Sequence, residues 1–61
     1  MKIVLVDDFN RETVNDVLLK DNLSLEEANK IAEEYNKNTH SGYFALVKED
    51  TYILYEYDPN K

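Results

Sequence analysis

The sequence predicts an α+β fold in the order ββαββ, a four-stranded antiparallel sheet with one helix packed on one face. Two observations lead to it. A capping box, Ser24-Leu25-Glu26-Glu27, opens a helix in mid-chain, and runs rich in aromatic and β-branched residues lie on both sides of that helix.

The first strand is Lys2 to Asp7, an apolar run Ile3-Val4-Leu5-Val6 that ends in Asp7 and Asp8. Arg11 to Lys20 allows two readings. Val14, Val17 and Leu18 have helical spacing behind a candidate cap at Asn10, whereas Val17-Leu18-Leu19 ahead of Asp21-Asn22 has the form of a strand returning from a turn. The strand is the reading taken. The helix follows from Leu25 to Asn36 or Asn38. Its Ser24 hydroxyl is placed to accept from the Glu27 amide and its Glu27 carboxylate to reach the Ser24 amide, with Leu23 stapled on Ala28. Leu25, Ala28, Ile31, Ala32 and Tyr35 recur at three- and four-residue steps and form an apolar stripe. On the other side Glu26 precedes Lys30, and Glu33 precedes Lys37, each by four residues, the spacing of helix ion pairs. Gly42, the one glycine, suits a turn that needs positive φ. Tyr43 to Lys48 and Thr51 to Tyr57, separated by Glu49-Asp50, read as a β-hairpin that Pro59 ends.

Strand alternation makes both faces of this sheet apolar, and one helix covers one of them. The other face is then expected to bind a partner or a second copy, as a homodimer, unless Arg11 to Lys20 is a helix that closes it.

Composition bounds the function. The 61 residues carry thirteen acidic and seven basic side chains, a net charge of −6, and no cysteine. They suffice for one domain, 1–61, of small core, with neither a disulfide nor a thiolate metal site to reinforce it, and a cytoplasmic location is expected. The apolar run at residues 3–6 is far too short to span a membrane. Seven scattered cations are a poor match for phosphates, so direct nucleic-acid binding is not expected and a basic protein surface is the expected partner. One glycine cannot build a phosphate-binding loop, and no cofactor is implied. His40 beside Ser41 lacks an identifiable orienting acid and reads as solvated loop. The chain is not expected to be an enzyme, because catalytic carboxylates need a walled cleft.

Tyr43, Tyr52, Tyr55 and Tyr57 interleave with Glu49, Asp50, Glu56 and Asp58 at the C-terminal end. Tyrosine gives large contact area with few rotors, and neighbouring acids steer a basic partner. These eight residues are the expected partner-binding surface.

Two resemblances add to this. Met1 to Asp8, an apolar strand ending in an acidic pair, resembles the opening of response-regulator receiver domains. That likeness implies a magnesium site at Asp7 and Asp8. It covers the first twenty residues, and the family's later phosphoacceptor Asp and Lys have no counterpart. The run Asp21 to Ala28 between strand-rich segments, in a chain rich in Asn, Lys, Ile, Tyr and Glu, resembles short reading frames of bacteriophages and mobile elements. That resemblance implies a small acidic inhibitor of host machinery, of the anti-CRISPR or anti-restriction kind, able to mimic nucleic acid and occupy a nucleic-acid-binding host protein.

Overall fold

The computed structural model describes residues 1–10, 12–38 and 42–60. Four elements follow one another: β1 (Lys2–Asp7), β2 (Val17–Lys20), α1 (Leu25–Asn38) and β3 (Tyr43–Lys48). The sheet is antiparallel with order β2-β1-β3, so β2 and β3 run parallel on either side of β1 and α1 connects them.

The expected four-stranded ββαββ sheet is therefore corrected to three strands, because the residues from Tyr52 to Asp58 adopt no strand. The reason lies at the free edge of β3. There the Asn36 side chain donates from Nδ2 to the Ala45 carbonyl at 3.0 Å and accepts from the Ala45 amide at Oδ1 at 2.7 Å. A neighbouring strand would have to offer the same two bonds, so the Asn36 side chain stands at Ala45 where the backbone of a fourth strand would. Ala45 faces Leu5 across the ladder, and its outward-turned N–H and C=O identify this as a pair that does not exchange backbone bonds.

The strand read over Arg11 to Lys20 is confined to Val17–Lys20, and Arg11 itself lies outside the described residues. Before it the chain makes a single turn, in which the Asn10 carbonyl accepts from the Thr13 and Val14 amides. The helix-like spacing at Val14 is thus spent on one turn. Within β2 the register shifts opposite Ile3 and Val4, and all four of its residues are exposed.

Helix α1 begins at the expected cap. The Glu27 amide donates to Ser24 Oγ at 3.2 Å, but the Glu27 carboxylate accepts from the Ser24 hydroxyl at 3.3 Å instead of reaching its amide. Ala28 and Ala32 are buried, with Leu23, Ile31 and Tyr35 packed around the same cluster as Ile3, Leu5 and Ala45. Leu25, expected on that stripe, is 57% exposed, because it stands in the first turn and the buried positions of the helix begin at Ala28. The Glu26–Lys30 and Glu33–Lys37 pairs do not close to ion-pair distance. Among the described residues the ion pair is that of the Met1 α-amino group with Asp50, at 2.9 Å. Met1 and Leu23 also exchange backbone bonds in both directions, which ties the helix entrance to the start of β1.

The second sheet face is not bare. Val4 and Val6 point away from the helix by alternation, yet are 0% and 4% exposed. β3 ends beside Lys2, and the chain beyond it is next anchored at Asp16, just ahead of the Val17 that pairs with Leu5. Between these points it has to cross β1 at the level of Val4 and Val6. The expectation of an uncovered face, on which the homodimer argument stood, is corrected accordingly.

Two expected outcomes test this architecture by urea denaturation. Asn36→Ala leaves the Ala45 amide and carbonyl without their partners and lowers stability by about 2 kcal/mol. Gly42 has φ 85° and open space where a Cβ would stand, so Gly42→Ala costs only the backbone penalty, about 1 kcal/mol.

Candidate functional site

The C-terminal strap, residues 52–58, is built from a turn and a set of side-chain anchors. The turn closes as the Tyr52 amide donates to the Glu49 carbonyl at 2.9 Å. Lys2 Nζ then donates to the Tyr52 carbonyl at 2.8 Å, and Lys48 Nζ stands 5.0 Å from the centre of the Tyr52 ring, within cation–π range. Asp16 Oδ2 accepts both from the Tyr52 hydroxyl at 2.6 Å and from the Tyr55 amide at 2.9 Å. The Asp16 amide returns a bond to the Tyr55 carbonyl at 2.9 Å. Farther on, the Tyr55 hydroxyl donates to the Glu12 carbonyl, and the Tyr57 amide donates to Asn15 Oδ1 at 2.6 Å. One backbone pair, Asp16 with Tyr55, joins the strap to this segment; the other anchors use side chains.

This arrangement divides the eight residues singled out in the sequence. Tyr43 is half-buried and packs against the helix-side core. Tyr52 turns inward to Asp16, and Asp50 is held by the Met1 α-amino group. Glu49 lies in the turn that precedes the strap, exposed. Glu56 and Asp58 are exposed as well, with Asp58 Oδ1 accepting from the Asn60 amide at 2.9 Å. Tyr55 and Tyr57 are 41% and 42% exposed, and between their positions and the turn Ile53 is 87% exposed. The outward surface of the strap therefore consists of Ile53, parts of two tyrosine rings, and acids.

Sequence reasoning missed Ile53, which looked like strand filling, and the anchors Lys2, Glu12, Asn15 and Asp16. The anchors could not be paired with the strap from the sequence, since 36 to 50 residues separate them. One signal was present. Asn15-Asp16 is a polar pair inside a stretch otherwise read as strand, a pair better suited to accepting bonds from a neighbouring backbone than to filling a sheet.

At the other acidic positions, Asp7 Oδ1 accepts from the Phe9 amide at 2.9 Å and the Asn10 amide at 2.6 Å, an Asx-type turn. Asp8 gives its amide to the Gly42 carbonyl, and its side chain lines a shallow open cleft of about 290 Å³ with Phe9, Asn10, Glu12 and Thr13. The Asp7 carboxylate thus has a structural task that the receiver resemblance does not include. Among the described residues no three His, Cys, Asp or Glu side chains gather as metal ligands. His40 and Ser41 lie outside the described residues.

No family model, no curated protein and no solved structure matches this chain. Among the described residues, no helix is long and apolar enough to cross a membrane.

The turn at Asp7 gives a further expected outcome. Asp7→Ala removes the acceptor of two backbone amides and lowers stability by about 1 to 2 kcal/mol, whereas Asp7→Asn keeps a side-chain oxygen and retains most of it; urea titration of the two variants separates them.

Proposed function

We propose that this protein is a non-enzymatic protein-binding module that presents the outer surface of its C-terminal strap to a basic protein surface. The observation that carries the proposal is the exposure of Ile53 at 87% and of Tyr55 and Tyr57 at about two-fifths each, next to exposed Glu56 and Asp58. Apolar and aromatic area gives contact energy once water is excluded, and the acids around it speed encounter with Lys and Arg. The net charge of −6 acts in the same direction at longer range. A basic groove that binds nucleic acid in a host protein has the matching chemistry, and occupying it would make the chain an inhibitor of the kind its bacteriophage resemblance implies. The mechanism is steric and electrostatic, with no bond made or broken.

Ile53 and Glu56 are the positions to test, because neither side chain anchors the strap, whereas Tyr55→Ala would also remove the bond to Glu12. Affinity capture from a bacterial lysate with wild type and with the Ile53→Ser/Glu56→Lys double variant gives the comparison. Proteins bound specifically by the wild type are basic at the contact, elute as salt rises, and bind the variant about tenfold more weakly or worse. Equal retention of every wild-type partner by the double variant removes the proposal.

A further inference from the structure

We infer that the strap is a latched cover, a unit that opens by itself at the Glu49–Tyr52 turn while the three-stranded sheet and the helix stay folded, and that Asp16 is its latch. The inference concerns the strap's inner side and is independent of what its outer side binds.

Three observations carry it. The strap belongs to no ladder, and one carboxylate oxygen, Asp16 Oδ2, takes both the Tyr52 hydroxyl and the Tyr55 amide. Other anchors, the Asp16 amide on the Tyr55 carbonyl, the Lys48 ammonium over the Tyr52 ring and the bonds at Lys2, Glu12 and Asn15, are single contacts to other segments, so releasing them breaks no ladder bond of the sheet. The sheet and helix are held separately, by the β1–β3 and β1–β2 ladders, by the Asn36–Ala45 pair and by the cluster around Ile3, Leu5, Ala28 and Ala32. Segments joined by few, partly exposed bonds open at lower free energy than ladders do. Opening exposes Val4 and Val6, the two buried valines of the second face, beside Leu18 and Phe44, which are partly exposed already. The closed strap thus keeps an apolar sheet face from water.

Native-state hydrogen exchange of the full chain, followed by NMR, tests this. The Tyr55 and Tyr57 amides exchange through a common opening that scarcely depends on added urea, while β1 amides exchange through one that depends on it strongly. Gly42→Ala weakens the sheet in both strap states, so it speeds β1 exchange about fivefold and leaves Tyr57 unchanged. Asp16→Ala speeds Tyr57 about tenfold or more, although the acceptor of that amide, Asn15, is untouched, and it raises the fluorescence of 1-anilinonaphthalene-8-sulfonate. Should the alanine variant not fold, Tyr52→Phe, which removes the hydroxyl bond to Asp16 Oδ2, is measured for the same two readouts. The inference is overturned if Gly42→Ala accelerates Tyr57 and β1 by one common factor. It is equally overturned if Tyr57 keeps its wild-type rate in Asp16→Ala or, where that variant does not fold, in Tyr52→Phe.

Discussion

The side-chain amide of Asn36 sets the outline of this small fold by holding both backbone groups of Ala45 at the outer edge of β3. An exposed edge is the place where a chain of this composition would add its next strand, and the C-terminal run is rich enough in tyrosine and isoleucine to supply one. With the Asn36 side chain bonded at that edge, the run does not extend the ladder there. It passes over the second face of the sheet, where the side chains of Val4 and Val6 need cover.

That single displacement explains the rest of the C-terminal end. A segment outside any ladder still has backbone groups to satisfy, and side chains of other segments satisfy several of them: Asp16 and Asn15, ahead of β2, accept from the Tyr55 and Tyr57 amides, and Lys2 of β1 donates to the Tyr52 carbonyl. Tyrosines serve a strap of this kind well, because the ring covers apolar surface while the hydroxyl reaches a polar anchor at its margin. The same geometry leaves Ile53 and the outer parts of Tyr55 and Tyr57 toward solvent. The marginal size of the core is met by chain covering both faces of a three-stranded sheet, a helix on one side and an irregular strap on the other.

Much of this was legible in local residues. β1 and β3 occupy the spans that their apolar runs mark, and α1 starts where Ser24 and Glu27 place it. Asp16 and Asn36 were not legible in the same way. Each is a polar residue whose role is set by a partner distant in sequence, and nothing within a few residues of either marks that partner. The candidate surface was legible as a set of residue types at the C-terminal end. Tyr43 faces the helix-side core by the alternation of β3, whereas the inward turn of Tyr52 depends on the path of the strap.

Local chemistry alone therefore determined the elements that rest on short-range rules: capping at Ser24, alternation through β1 and β3, and positive φ at Gly42. It also determined the acidic charge and the tyrosine content of the C-terminal end. The number of strands, the cover over Val4 and Val6 and the division of the tyrosines into anchors and exposed surface were decided by the tertiary structure. The physical reason is competition for one sheet edge: two segments could satisfy Ala45, and the side chain of Asn36, brought there by the packing of α1 on β3, is the one that does.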